Sequence, residues 1–313
     1  MSRKLFGTGA HGGIVGDIQR GLVAAQCDAG RVDEIYGQGT ARAVKQVQFN
    51  NHVAETGDID DVTWTAFMPG PVPSLFERSL ELTAAFEGHS YTLAVGDFDG
   101  AWLTWGIIGF TMKFGKVQTI ILKTNQLHPE LVEQAFGDNA GTLIQIMRST
   151  PDQQQSWADS ISINGRLASP WRQQFHTLGE FPEVREIQRQ IAHHEYYLPC
   201  LTTARSFGLQ SELGIALCFD IHVQNGSINS TARALIQKEL SSSPNPPEAE
   251  LRQIIANAVA DAAIPAFRED VRSRKIAIAT GQGSVHGASY DLSNWGLGEF
   301  PAENVALTQT TAG

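Results

Sequence analysis

A proline-rich break divides the sequence into a short amino-terminal part and a long carboxy-terminal part. Three prolines and a glycine occur within Met68-Pro69-Gly70-Pro71-Val72-Pro73, and such a run can continue neither a helix nor a central strand. We therefore predict a small domain of residues 1–68, a linker of residues 69–74 and a larger domain of residues 75–313. The length of 313 residues allows a small domain attached to a large one.

Hydrophobic periodicity indicates a mostly helical chain. Residues 16–25 and 39–50 carry apolar side chains at helical spacing, and so do residues 74–86, for which Ser74 is a suitable N-cap. After residue 129 the predicted helical segments are 131–136, 152–160, 183–206, 213–223, 231–240 and 248–280.

Residues 91–110 show a different pattern. They are rich in Gly, Trp, Thr and Ile, and they contain the turn sequence Gly96-Asp97-Phe98-Asp99-Gly100. This composition is typical of a hairpin or a small sheet. The predicted fold class is therefore mainly α (α+β), with a small three-helix bundle followed by a helical domain that contains a small β-sheet.

The charge balance and the cysteines exclude several classes of protein. The chain has 33 acidic and 23 basic residues, a net charge of −10, which argues against a nucleic-acid or anionic-membrane partner. Its three cysteines exclude a disulfide framework and are expected to be buried thiols. No stretch approaches the ~18 apolar residues of a membrane span, and the amino terminus lacks the apolar core of a secretory signal. We therefore expect synthesis in the cytoplasm and export by another route.

The small domain contains a recognisable series of motifs. They are Val15-Gly16-Asp17-Ile18-Gln19-Arg20-Gly21-Leu22, Tyr36-Gly37-Gln38-Gly39-Thr40, Ala43-Val44, Gln48-Phe49, Gly57-Asp58-Ile59 and Thr63-Trp64. In this order and spacing they resemble the three-helix peptidoglycan-binding domain attached to many cell-wall hydrolases. The resemblance implies a wall glycan or stem peptide as ligand. We expect Thr40 to cap a helix, and Phe49 and Trp64 to be core aromatics.

Two carboxylates in the larger domain are candidates for glycosidic bond hydrolysis. This reaction needs one acid that protonates the leaving oxygen and a second carboxylate that acts on water or on the sugar. Glu87 follows Phe86 at the end of an apolar helix, where desolvation would favour the protonated acid. Asp99 lies in a glycine-flanked turn, where nearby backbone donors would keep it ionised.

The residues around these carboxylates carry a second resemblance. They are Glu81-Leu82, Glu87, Asp99-Gly100, Thr104 and Gly106-Ile107-Ile108-Gly109-Phe110. This pattern resembles the lysozyme superfamily and, within it, the chitosanases of glycoside hydrolase family 46. The resemblance implies a lysozyme-like fold, with Glu87 as general acid, Asp99 as general base and Thr104 holding the attacking water. It also implies inversion, for which the two carboxyl groups lie ~6.5–9.5 Å apart.

The resemblance continues more weakly to about residue 300. Phe219-Asp220 and Ser273-Arg274-Lys275 are similar to segments that supply a buried Asp and its Arg partner behind the catalytic Glu. Asp220 and Arg274 are therefore the expected supporting network. Near Ser284, however, the sequence has no second Arg of the kind that the chitosanase network contains.

Two further features of the turn affect the assignment. Chitosanases have an Arg directly after the Asp-Gly pair, whereas this chain has Ala101. Asp97 is an alternative base, because a lysozyme-type alignment anchored on Gly100 would select it. The sequence favours Asp99.

Aromatic residues near the turn are candidates for sugar binding. Trp102 and Trp105 alternate with Leu103 and Thr104 on a predicted strand, so either one ring faces a cleft or both rings pack in the core. Tyr197 is a further candidate for the same cleft. No metal-ligand spacing and no nucleophile elbow occur, and two carboxylates with water suffice, so no metal or cofactor is expected.

Together these features predict a peptidoglycan hydrolase of the muramidase (lysozyme) type. The family context implies an antibacterial effector, exported by a system such as type VI secretion and neutralised by an immunity protein, or a phage endolysin. Such a protein would act on the wall of a target bacterium without inserting into its membrane. A chitosanase and a non-catalytic wall-binding protein are the two alternatives. The acidic composition of the chain counts for the chitosanase, because chitosan is a cationic polymer.

Overall fold

The computed structural model describes residues 3–88, 90–97 and 100–302. The chain forms two compact units, the first built from the residues up to Phe86 and from Glu195 onward, and the second from Glu87–His194. Helices dominate both units and the sheets are small, so the predicted fold class is confirmed. None of the described helices combines the length and apolar character that a bilayer crossing requires.

The amino-terminal residues form the predicted three-helix bundle. A short antiparallel pair of strands accompanies the helices, and Trp64 and Ile18 are buried between them. The elements in chain order are β1 (Lys4–Phe6), α1 (Gly13–Ala24), α2 (Gln38–Asn50), β2 (Ile59–Asp60) and α3 (Asp61–Phe67).

Two expectations for this bundle are wrong. Phe49 is 61% exposed, because α2 turns Val44 and Val47 inward and position 49 lies about 200° around the helix from position 47. Thr40 does not cap α2, since the cap position is Gly37. Thr40 is instead a buried residue in the first turn of α2, and its hydroxyl accepts a hydrogen bond from Gln19 Nε2 at 3.2 Å.

The helix α4 (Leu75–Glu87) follows the proline-rich segment and begins as predicted. Ser74 Oγ accepts from the Glu77 backbone N–H at 3.3 Å, and the Glu77 carboxylate accepts from the Ser74 N–H at 2.8 Å. This reciprocal pair is a capping box. The helix stops at Gly88, whose φ of +63° is a left-handed conformation that favours glycine.

The second unit has a three-stranded antiparallel sheet, a two-stranded sheet and six α-helices in its described residues. The strands are β3 (Ala94–Gly96), β4 (Leu103–Trp105) and β5 (Phe110–Thr111), which confirms the sheet predicted for residues 91–110. The later elements are α5 (Lys116–Leu127), α6 (Pro129–Phe136), α7 (Ala140–Met147), α8 (Pro151–Ser160), β6 (Ser162–Ile163), β7 (Arg166–Leu167), α9 (Trp171–Glu180) and α10 (Pro182–Ala192).

The rest of the first unit is a set of helices around the buried helix α12. A π-helical turn, His193–Tyr197, separates α10 from α11, so residues 183–206 are not one regular helix. Pro265 lies in the break that divides the predicted helix 248–280, because its ring cannot continue a helix. The elements are α11 (Leu198–Phe207), α12 (Glu212–Asn225), α13 (Ser230–Ser242), α14 (Glu248–Asp261), α15 (Arg268–Thr280), β8 (Gln282–Val285) and β9 (Ala288–Asp291). All three cysteines are buried free thiols, as expected.

Within the first unit, the amino-terminal bundle packs against later residues through buried polar groups. Glu212 pairs with Arg78 at 2.9 Å and also with Arg3. Glu81 of α4 is 3% exposed and accepts hydrogen bonds from the backbone N–H groups of Gly13 and Ile14, at the start of α1. Burial raises the pKa of Glu81 to about 8. The bundle is therefore anchored partly by a carboxyl that burial keeps neutral.

Candidate active site

Glu87 is the last residue of α4, at the point where the helix gives way to the segment before β3. Its side chain is half-buried, whereas the preceding Phe86 is 2% exposed and packs on Tyr290 with ring centroids 4.7 Å apart. The apolar side of α4 therefore fixes the direction in which the helix ends. Glu87 follows this buried stripe at a less enclosed position.

The two candidate bases come between β3 and β4 in the sequence. Asp99, the favoured base, lies outside the described residues. Asp97 Oδ1 accepts a hydrogen bond from the Gly100 N–H at 2.7 Å, and the Asp97 N–H donates to Ser162 Oγ at 3.2 Å. One carboxylate oxygen of Asp97 is thus used to hold the turn together.

Thr104 lies in the middle of β4, the central strand of the sheet. Its register partners are Val95 on β3 and Thr111 on β5, and it is 9% exposed. Trp105 points to the other face, because neighbouring side chains on a strand alternate. Trp105 is fully buried against Phe175, with ring centroids 5.4 Å apart. It belongs to the core and is not placed for sugar binding, so for this ring the core alternative is correct.

Trp102 has an unusual backbone conformation. Its φ is +67°, a left-handed value that is uncommon for a bulky residue, and its side chain is half-buried. Such strain costs about 1–3 kcal/mol and is found most often at functional sites. Trp102 directly precedes β4, the strand that carries Thr104. Sugar binding by Trp102 remains a prediction, and the strained backbone at this position supports it.

Asp220 and Arg274 form the buried ion pair that the sequence predicted. Arg274 Nη2 donates to Asp220 Oδ1 at 2.6 Å, and both residues are almost fully buried. Lys275 is also buried and donates from Nζ to Asp220 Oδ2 at 2.5 Å. Burial alone would raise the pKa of Asp220, but the two cations outweigh it and lower the pKa to about 2.

This ion cluster contacts α4 just before Glu87. Thr83 Oγ1 donates to Asp220 Oδ1 at 3.1 Å, and Thr83 is one helical turn before Glu87. The Arg274 guanidinium lies 5.5 Å from the centre of the Phe86 ring, a cation–π contact. The cluster of Asp220, Arg274 and Lys275 therefore fixes the position of the last turn of α4.

Lys275 was not predicted as a member of this cluster, although the sequence contains a signal for it. Lys275 lies four residues after Val271 and three before Ile278, both buried, so it is on the inner face of α15. A lysine on such a face requires a buried anion, and Asp220 was already expected to be one. Lys275 is therefore a second cation on Asp220, beside Arg274.

Tyr197 is not placed for sugar stacking. It is 8% exposed and lies in an aromatic cluster, with its ring 5.1 Å from Phe76 and 6.1 Å from Phe219. Burial raises the pKa of its phenol. Because the ring is enclosed by core aromatics, it supports the helix α4 and does not offer a free face to a ligand.

Two family models match the chain. Residues 11–67 match a putative peptidoglycan binding domain, and residues 79–270, more than half of the chain, match glycosyl hydrolase family 46. Similar solved structures include a Gynuella sunshinyii GH46 chitosanase in complex with chitotetraose, at 17% identity and a TM-score of 0.49, covering 70% of this chain and 98% of that one. Native chitosanase from Bacillus subtilis MY002 is similar at 18% identity and a TM-score of 0.47, covering 71% and 98%. A comparison with curated proteins gave no match.

Proposed function

The chain belongs to glycosyl hydrolase family 46, and from this premise we propose that it is a muramidase that cleaves the glycan strand of peptidoglycan. The family makes it a glycoside hydrolase. The finer assignment depends on one observation, the presence of a peptidoglycan-binding domain at residues 11–67 of the same chain. Such a domain concentrates the enzyme on the wall, which favours the wall glycan as the substrate.

The proposed mechanism uses two carboxylates and one water molecule. Glu87 protonates the leaving glycosidic oxygen, while Asp99 removes a proton from the attacking water and Thr104 holds that water. The products would have inverted anomeric configuration. Asp220 and its two cations act indirectly, because they position the last turn of α4 through Thr83.

The hydrogen bonding of Asp97 supports Asp99 as the base. A general base needs a carboxylate that is available to water, whereas one oxygen of Asp97 accepts from Gly100 within its own turn. We assign Asp97 the role of stabilising this turn.

Chitosan is the alternative substrate, because a net charge of −10 attracts a cationic polymer. Two features favour peptidoglycan instead: the wall-binding domain, and Ala101 in place of the Arg that chitosanases have after their Asp-Gly pair. The combination of wall binding and hydrolysis suits an exported antibacterial effector or a phage endolysin. An effector of this kind would require an immunity protein in the cell that makes it.

Digestion of purified peptidoglycan tests the proposal. Wild type, Glu87→Gln and the exposed control Glu133→Gln are incubated with peptidoglycan and, separately, with chitosan. Soluble fragments are reduced with borohydride and analysed by mass spectrometry. We expect muropeptides that end in reduced N-acetylmuramic acid from wild type and the control, and none from Glu87→Gln.

The other outcomes are equally informative. Oligomers released from chitosan, with no fragments from peptidoglycan, would make the protein a chitosanase. Fragments that end in reduced N-acetylglucosamine would show that the other glycosidic bond is cut. No product from either polymer would favour a non-catalytic wall-binding protein.

A further inference from the structure

His11, two residues before α1 of the amino-terminal bundle, contacts two aromatic residues from the other end of the chain. Its ring lies edge-on to Trp295, with ring centroids 5.2 Å apart, and 5.9 Å from the ring of Tyr290. Trp295 Nε1 also donates to the His11 carbonyl oxygen at 3.3 Å, and Trp295 is 1% exposed. These contacts join the bundle to a buried aromatic cluster.

Tyr290 extends this aromatic cluster to the last turn of α4. Its ring packs edge-on against Phe86, and its hydroxyl donates to the Ala85 carbonyl oxygen at 3.3 Å. The last four carbonyl groups of an α-helix have no partner within the helix, and that of Ala85 is one of them. Tyr290 is buried, so it holds both a side chain and a backbone group at the end of α4.

The bundle also contacts α4 directly through Glu81. The Glu81 carboxyl accepts hydrogen bonds from the backbone N–H groups at the start of α1. Gly12 approaches the same carboxyl so closely that a Cβ at this position would overlap Glu81 Oε2. The bundle therefore supports α4 at Glu81 and, through Tyr290, at Ala85, which is about one helical turn further along.

Support at two points one turn apart fixes both the direction of a helix and its rotation about its axis. Glu87, the proposed general acid, comes two residues after Ala85 on the same helix. A displacement of a catalytic group by ~1 Å can lower the rate about 10²-fold. The position of Glu87 is therefore sensitive to contacts that the bundle makes.

We propose that His11 is a positioning residue for Glu87, and that the bundle holds the end of α4 through Tyr290 in addition to binding the wall. This role rests on the proposed function of Glu87 as general acid, and it is the same for peptidoglycan and for chitosan. Loss of the His11 ring should then impair catalysis even on a soluble substrate, for which anchoring to a wall brings no advantage.

Hydrogen–deuterium exchange on the full chain is the first test. In His11→Ala we expect the amides of residues 84–88 to exchange about fivefold faster than in wild type. His11→Phe keeps a ring at this position and should restore the wild-type rate. Val44→Ala is the matched control, because it weakens the buried core of the same bundle without touching the aromatic cluster. It should leave the exchange of residues 84–88 unchanged.

Steady-state kinetics on the soluble polymer that wild type cleaves, either sonicated peptidoglycan or chitosan, is the second test. His11→Ala should lower kcat about tenfold and change KM less than about twofold, because Glu87 is displaced while substrate binding is kept. His11→Phe and Val44→Ala should keep the wild-type kcat. Tyr290→Leu should lower kcat as well, and the double variant His11→Ala/Tyr290→Leu should lose no more than Tyr290→Leu alone.

Several results would overturn this role of His11. Unchanged exchange at residues 84–88 in His11→Ala would show that the bundle does not hold the end of α4. Equal effects of Val44→Ala would point to a general loss of bundle stability, and a raised KM with an unchanged kcat would point to substrate binding. Additive losses in the double variant would exclude a path through Tyr290. If wild type cleaves neither polymer, the proposed function fails, and the exchange of residues 84–88 still decides whether the bundle supports α4.

Discussion

Replacing Glu81 by glutamine should make the protein less sensitive to rising pH. Burial raises the pKa of Glu81 from its ordinary value of 4.5 to about 8, despite hydrogen bonds from the backbone of Gly13 and Ile14. A raised carboxyl pKa means that the folded state favours the neutral acid. The contribution of neutral Glu81 to the free energy of unfolding is fully present below pH 4.5 and is lost as the pH rises toward 8.

The size of the effect follows from the shift. Each pKa unit corresponds to about 1.4 kcal/mol, so the full shift from 4.5 to about 8 amounts to about 5 kcal/mol. By pH 7 the wild type has lost about 3 kcal/mol of this, whereas Glu81→Gln carries no titrating group. For 313 residues that difference corresponds to a change of about 5 °C in melting temperature.

The assay is urea unfolding of wild type and Glu81→Gln at several pH values from 4 to 8, supported by thermal melts. The difference in unfolding free energy between the two proteins should grow by about 3 kcal/mol in favour of the variant from pH 4 to pH 7. The exposed control Glu133→Gln should show no such trend. Two parallel stability curves for wild type and Glu81→Gln would refute the reasoning, because they would show that Glu81 titrates as it does in the unfolded chain.

Three further predictions concern the two candidate bases, the buried ion cluster and Trp102. Asp97→Asn keeps an acceptor for the Gly100 N–H and should retain activity within about threefold. Asp99→Asn should lower kcat by about 10²–10⁴. Turbidity assays on cell walls measure both variants, and a larger loss for Asp97→Asn than for Asp99→Asn would make Asp97 the base. Lys275→Met leaves Asp220 with one cation and should cost about 3–5 kcal/mol of stability in urea unfolding; a cost below 1 kcal/mol would show that this buried pair is not needed. Trp102→Gly removes the left-handed backbone strain, so the melting temperature should stay unchanged or rise. Because the variant also removes the candidate sugar-binding ring, KM should rise. An unchanged KM would show that Trp102 is not part of the substrate site.

Local patterns allowed much of the fold to be predicted. The start of α4 followed from Ser74, because a capping box is a contact between residues three apart in sequence. The sheet at residues 91–110 followed from composition and turn residues. The break at Pro265 could also have been foreseen, since the ring excludes helix continuation at that position.

Contacts between distant segments were harder to predict. Phe49 and Trp105 are both aromatic residues within apolar patterns, yet one is exposed and the other fully buried. The difference depends on which face of each element meets the rest of the protein, and a single sequence does not specify that for a short helix or strand. Asp220 and Arg274 were paired only through a family resemblance, and Lys275 was missed, because their contact spans more than 50 residues.

The discontinuous first unit has a consequence for how the protein is made. Thr83 lies on the helix that ends at Glu87, but its partner Asp220 is held by Arg274 and Lys275, which are translated much later. At about 5–20 residues per second, a ribosome needs about 10–40 s to proceed from residue 87 to residue 275. During that interval the nascent helix lacks its buried partners. A cell that produces this protein therefore carries nascent chains whose helix α4 is still unsupported, and the mature arrangement is reached only near the end of translation.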